Sequence, residues 1–309
     1  MEELLVAARA DAEVSAGLDR ALNRIVDLIR LGQLLDDAEH PPACKAAEVS
    51  GPIKGTPVIE GEHLAQHVRN LWDLDDDPLP NNFESLVEDL SGLSIALEPL
   101  GEQVAGLYAC VQDSAIALVD SSVPFGRQRF TVAHELCHFL LRDTDSLIVD
   151  ERLTGRSNAE RRANAFAAHF LMPQKSIQRY LRSRAPDEEV VIELVHTFGV
   201  SLQALLWHLF NLNLISKSKM KRILEIGPKT LSIRYGYGDV WQRFEAEQGA
   251  RRPPRRLQER ATSAYDKGRI GIEPLAELLG RTDIGALRRE FEDQGIGARE
   301  AWWEESAAT

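Results

Sequence analysis

The sequence predicts an α+β fold that is mostly helical, with a small three-stranded antiparallel sheet near the middle of the chain. Three short apolar runs, near Ser94–Glu98, Val104–Val111 and Ile116–Asp120, are β-prone and bounded by turn residues. The links between them are too short for a crossover helix, so they read as a meander. Elsewhere apolar residues recur at helical spacing. With 309 residues and 44% hydrophobic content, the chain can bury a full core and is long enough for more than one domain.

Residues 1–40 read as an N-terminal helical arm, in which Leu18, Leu22, Ile25, Ile29 and Leu31 make an apolar stripe. The stripe is expected to cover the chain's own core, although a helix of this kind can also form a homodimer. Residues 41–60, rich in Pro and Gly, read as a linker. The central region, 61–220, opens with a helix from about His63 to Leu74 and an acidic turn at Asp75-Asp76-Asp77-Pro78, after which Asn82 can cap a helix over Phe83–Leu90. The three strands follow, then two chemistry-bearing helices, then further helices from Val190 to Leu214. Residues 221–249 read as a second linker. Residues 250–309 form a C-terminal helical domain over Leu257–Lys267, Ile272–Leu279 and Ile284–Phe291, punctuated by Gly268 and Gly280.

The chemistry starts at His134-Glu135-Leu136-Cys137-His138. On a helix, residues four apart share a face, so His134 and His138 can hold one ion while Glu135 projects to the flank. Such an ion lowers the pKa of a water and polarises a carbonyl, and a carboxylate placed like Glu135 takes the water's proton and passes it to a leaving amine. A hydrolytic zinc site needs three protein ligands, so one more donor must arrive from elsewhere. The surroundings suit the motif. No Pro or Gly interrupts Arg127–Leu141, and the apolar run Ala115–Asp120 precedes it as a strand would.

The second block runs from Glu160 through Ala163-Asn164-Ala165-Phe166-Ala167 to Leu171-Met172-Pro173. Together with Arg129-Phe130-Thr131-Val132-Ala133-His134-Glu135, it resembles the ImmA/IrrE family of zinc metallopeptidases over roughly residues 60–215. That resemblance implies a zincin-like peptidase domain, Zn2+ as cofactor, and Glu160 as the third ligand beside His134 and His138. His169 departs from the family pattern. A second reading of Glu160 stays open, since Ser157-Asn158-Ala159-Glu160 is also a capping box. The family further implies a regulatory endopeptidase that cleaves a helix-turn-helix repressor or antitoxin during stress or DNA damage, in a bacterial or phage setting. The alternative is a peptidase-fold module that binds and sequesters a repressor without cutting it.

Other candidates are weaker. Cys110, on the strand before the one leading into the metal helix, is a candidate inhibitory fourth ligand whose thiolate would hold the enzyme latent. Against that, unpaired cysteines usually serve as small core residues, which is the reading for Cys137. Cys44 reads as an incidental thiol in the linker. His63 and His67 repeat the four-residue spacing without a following glutamate and read as surface histidines. His169 and His196 could stabilise an oxyanion or could simply be packed.

Three cysteines point to a reducing compartment, and the absence of a leader or an apolar span points to the cytoplasm with no membrane contact. The net charge of −12 repels nucleic acid and favours basic partners. Phe198–Leu206 has the shape of a helix-turn-helix, yet no Lys or Arg lies between Arg184 and Lys217 to meet phosphates. Residues 250–309 do carry cations, including Arg251, Arg252, Arg281, Arg288 and Arg289. Partner binding is the first expectation for that region and direct DNA contact the second. The tail bears Trp302 and Trp303.

Overall fold

The computed structural model describes residues 16–35, 55–101, 104–111, 114–142, 147–151, 157–182 and 184–297. Cys44, most of the 41–60 segment, and Trp302 and Trp303 lie outside them. In chain order the elements are α1 (Ala16–Leu34), α2 (Pro57–Leu71), α3 (Phe83–Ser91), β1 (Ser94–Glu98), β2 (Val104–Val111), β3 (Ser114–Asp120), α4 (Phe125–Leu141), β4 (Leu147–Glu151), α5 (Asn158–Leu171), α6 (Gln174–Leu181) and α7 (Glu188–Phe198). There follow α8 (Leu202–Asn211), α9 (Lys217–Ile226), α10 (Pro228–Arg234), α11 (Gly238–Glu247), α12 (Arg255–Asp266), α13 (Ile272–Leu279) and α14 (Ile284–Asp293).

The fold is α+β and mostly helical, as expected, but its sheet differs from the meander. It has four strands in the order β1-β3-β2-β4, with β1 parallel to β3 and β2 antiparallel to both β3 and β4. A short link between β1 and β2 does not oblige them to be neighbours. The two strands run in opposite directions, so the link need only step over β3, about 10 Å at ordinary strand spacing, which five residues span. The fourth strand was visible as Leu147-Ile148-Val149, an apolar run the sequence reading passed over.

Alternate strand residues enter two different cores. Ile95, Leu97, Tyr108, Ala117 and Val119 join the cluster built from α2 to α9, while Ala96, Leu107, Ala109, Ile116 and Leu118 face α1, α12, α13 and α14. Both sheet faces are therefore covered, which explains why the strands read as nearly continuous apolar runs. The stripe on α1 packs on the back of the sheet: Leu18, Leu22, Ile25 and Ile29 are buried there beside Leu257, Ala261 and Leu275. The N-terminal arm and the C-terminal helices thus share one core instead of standing apart.

Two expected linkers contain helix. α2 starts at Pro57, not near His63, because Thr56 caps it through the Ile59 amide and Pro57 occupies the first helical turn. That Thr-Pro pair is a helix start which resembles loop punctuation in sequence. Residues 221–249 carry α10, α11 and the end of α9, so they are not a free connection. Asn82 does precede α3, but its side chain makes no capping hydrogen bond. Among the described residues no single helix is long and apolar enough to cross a membrane; α7 and α8 pass that test only as a pair bent by 110°, and both contribute buried residues to the main core.

The cations at the entry of the C-terminal region turn inward. Arg252 donates to the Ile95 carbonyl at 2.8 Å and to the buried Glu88 carboxylate at 2.5 Å. Glu88 also accepts from the amides of Ile95 and Arg255. Burial pushes its carboxyl upward, against the pull of the Arg252 guanidinium. Arg255 pairs with Asp89, and Glu98 accepts from Arg24 of α1 at 2.6 Å with Arg251 at 3.9 Å. Arg281 pairs with Glu290. Arg252 is thus spent on an internal carboxylate, whereas Arg251, Arg255 and Arg281 stay partly exposed beside acids that offset their charge towards phosphates.

Truncating Glu88 to Ala would strand the Arg252 guanidinium and two amides, so Glu88→Ala is expected to lower unfolding stability by on the order of 3 kcal/mol in a urea titration. A loss below about 0.5 kcal/mol would show that the clamp contributes little.

Candidate metal centre

The two histidines stand one turn apart on α4, a 17-residue helix buried along most of its length. Its position is set by contacts that tolerate no larger side chain or weaker donor. Gly126 lies against the backbone of Val200 and Ser201, where a Cβ would come within 2.3 Å of the Val200 carbonyl carbon. Arg129 is fully buried, donates to the carbonyls of Pro80 and Leu79, and lies over the rings of Phe83 and Phe125. A guanidinium used this way is a rivet between α4 and the segment before α3.

Glu160 occupies the first turn of α5. Ser157 caps that helix by accepting from the Glu160 amide at 3.1 Å, so the capping reading holds for the backbone. The carboxylate goes elsewhere. Its Oε2 lies 3.2 Å from His134 Nε2, its Oε1 lies 3.4 Å from His138 Nε2, and the two imidazole nitrogens are 3.1 Å apart. The structure therefore brings together His134, His138 and Glu160. Donors around a tetrahedral ion with bonds of 2.0–2.2 Å sit about 3.3 Å from one another, so the observed separations suit a divalent cation. Hydrogen bonding by the His134 and His138 imidazoles holds the Glu160 carboxyl well below the usual carboxylate range, which keeps it ionised as a ligand must be.

Glu135 is fully buried on the flank of α4, beneath β2. The reason it fits is Gly106. A Cβ there would lie 2.7 Å from Glu135 Oε1 and 2.7 Å from Thr131 Cγ2, so the strand can pass over the carboxylate only as glycine. A register shift between Val104 and Gly106 marks the same place. Sequence reasoning quoted Gly106 but gave it no role; a glycine inside an apolar strand next to a chemical motif was the available signal.

Cys110 is not part of this arrangement. It lies on the same strand face as Gly106 and Tyr108, four residues further on, and Tyr108 already packs against Phe139 on the last turn of α4. At about 3.3 Å per residue that displacement is roughly 13 Å. Among the described residues, the group whose donor atoms lie within 4.8 Å of one another consists of His134, His138 and Glu160. Cys110 is half-buried against the main core, and an inhibitory fourth-ligand role finds no support in its position. Cys137 is fully buried in the core. His63 and His67 are exposed on α2.

A cleft of about 1380 Å³ opens at His134 and Glu160. His169 and His196 both line it. His169 lies 4.0 Å from the Glu62 carboxylate and edge-on to His208, whereas His196 contacts Ser232 Oγ at 3.0 Å and stacks on Tyr237. His208 was not singled out from sequence. Its Nε2 donates to the Met172 carbonyl at 2.9 Å, and burial, with His169 beside it, pushes its pKa down to about 3.

Residues 91–209 match the family model described as the IrrE N-terminal-like domain of Peptidase_M78. This segment is similar to the ImmA/IrrE family. Two similar curated proteins are radiation response metalloproteases IrrE, from Deinococcus deserti (33% identical over 132 residues, 40% of this chain and 45% of that protein) and from Deinococcus radiodurans (31% over 132 residues, 40% and 39%). The chain spans less than half the length of these relatives. All three clustered side chains and Glu135 fall inside the matched segment, whereas α1, α2 and α9 to α14 fall outside it.

Two expectations follow. Glu160→Gln removes the only anionic donor of the three, and zinc affinity measured by competition with a chromophoric chelator should fall by more than about 100-fold, beyond the range typical of an outer partner; unchanged stoichiometry and affinity would reject the ligand role. His208, neutral when folded, takes up a proton more readily when unfolded, so its contribution to stability is present above the unfolded pKa near 6.5 and is lost as pH falls from there toward 3. Denaturation between pH 7 and pH 4 should show a decline that His208→Gln reduces by up to about 1.4 kcal/mol per pH unit.

Proposed function

We propose that this chain is a regulatory zinc endopeptidase that cleaves a helix-turn-helix transcriptional repressor or antitoxin in the cytoplasm, in response to stress or DNA damage. The observation that carries the reading is the convergence of His134, His138 and Glu160 at the mouth of a cleft, with Glu135 on the same helix. Both relatives are named radiation response metalloproteases, which supports a regulatory peptidase. A net charge of −12 suits a basic, DNA-binding substrate.

The two imidazoles and the Glu160 carboxylate would hold the ion. Bound there, zinc supplies Lewis acidity that polarises a peptide carbonyl and acidifies a water molecule. Glu135 accepts that proton on its carboxylate and returns it to the leaving amine. Its burial beneath Gly106 keeps bulk water from competing for it. Ser157 and the first turn of α5 keep Glu160 aimed at both imidazoles, so the ligand set is rigid before anything binds. Manganese or iron would find the same donors acceptable, and zinc is favoured because two imidazoles and a single carboxylate match its hydrolytic sites.

The second reading, a module that sequesters a repressor without cutting it, draws on one observation. Glu135 and His138 are completely buried, and only His134 and Glu160 of the group line the cleft. The experiment that separates the two is incubation of zinc-loaded protein with helix-turn-helix repressors from the same genome. Wild type is expected to yield two discrete fragments, and Glu135→Gln to cut at least about 100-fold more slowly while still binding zinc. Relief of repression in cells by Glu135→Gln as effectively as by wild type would establish the sequestering module instead.

A further inference from the structure

The cleft is larger and more aromatic than holding an ion requires. One side is the face of α5 that begins with Glu160 and continues one turn at a time through Asn164 to Ala168, with Ala165 beside them. These small side chains leave depth next to the ligand carboxylate. Trp207 of α8 and Trp241 of α11 also line it.

Trp207 is 43% exposed, and its one ring partner is Phe210 on the same helix. By contrast Trp72 packs edge-on against the buried Phe170. A tryptophan left this open in an apolar cleft adds less to the core than a buried one, and a ligand covering it would remove the part of its ring still in water.

α11 is similarly placed for a ligand and not for the core. None of its residues is buried, yet it walls the cleft. It is held by Phe244, stacked on Phe125 at 4.3 Å within the cleft lining, and by the Gly249 amide, which donates to the Ser121 carbonyl at 2.7 Å. Gly236 and Gly249, both at positive φ, bracket it. The charges at the rim do not select a sign, since Glu62 and Glu245 are matched by Arg127 and Arg161. What remains to discriminate among ligands is apolar shape. α11 also lies beyond residues 91–209, so this wall belongs to the present chain and not to the matched segment.

We infer that the cleft lined by the small-residue face of α5 and by Trp207 and Trp241 contains a specificity subsite, which takes a bulky apolar side chain of a polypeptide, of the leucine or phenylalanine class, next to the bond presented at His134 and Glu160. The inference rests on the peptidase reading for its biological meaning but not for its test. Asn164 and Gln203 are among the polar groups of the lining available to the peptide's main chain.

Two measurements test it. In the first, zinc-loaded full-length protein cuts peptides identical except for Leu, Phe, Ala, Asp or Lys beside the scissile bond. Wild type should favour Leu and Phe over Ala, Asp and Lys by at least about 10-fold in kcat/KM. Trp207→Ala and Trp241→Ala should shrink that preference to within about 3-fold through KM, and Trp207→Phe should restore most of it. A flat wild-type preference, or variants that depress all five peptides alike, would overturn the subsite. In the second, dipeptide hydroxamates bearing a leucine or an alanine side chain are titrated into the same protein and followed by tryptophan fluorescence. The leucine analogue should bind at least about 10-fold more tightly, and the difference should vanish in Trp207→Ala. If no peptide is cut but this difference persists, the subsite stands and the peptidase reading fails; equal affinities overturn the subsite whatever the peptides do.

Discussion

Two imidazoles from one helix and a carboxylate from the first turn of another must meet within a few ångströms, and most of the described fold serves that requirement. Separately each group would prefer water. Brought together, the histidines keep the carboxylate ionised and the carboxylate gives their ring nitrogens a partner, so the cluster is tolerable when bare and suited to a divalent cation when filled. Any slippage of α4 against α5 would break it.

That slippage is opposed at several points. Gly61 on α2 lets the helix approach α5 so closely that a Cβ would sit 2.3 Å from the Arg162 carbonyl. Arg69, fully buried, ties the same pair of helices to the acidic turn by donating to the carbonyls of Phe170, Asp75 and Asp77, with burial lowering its pKa to about 10. The sheet presses on α4 through Gly106, and on its other face α1 and the C-terminal helices complete a second core. The acidic residues Glu88 and Glu98 join those outer layers to the sheet edge, using cations that in sequence resembled a nucleic-acid surface.

The matched segment supplies the His134, His138 and Glu160 cluster, but the shape of the cleft comes partly from elsewhere. Trp241 and Phe244 arrive from a stretch that looked like a linker because α11 buries nothing and so carries no apolar period strong enough to read. An amphipathic pattern records burial in a core, and a helix that walls a cleft leaves no such record. The same reasoning explains why His208 and Trp207 were missed: on a helix this apolar, a histidine and a tryptophan are indistinguishable from packing until their neighbours are known.

By itself the sequence determined most of the helical and strand-forming segments and the His134–Glu135–His138 constellation, because helical spacing and short motifs are properties of contiguous residues; Glu160 entered as a third donor only through the family resemblance. It determined equally well that α1 would bury its stripe. Only the tertiary structure decided the strand order, since β1 beside β3 is a contact between residues about twenty positions apart that no local period encodes. The same holds for the exclusion of Cys110 from the centre, the closeness of Gly106 to Glu135, and the inward turn of Arg252, each of which depends on where distant segments come to rest.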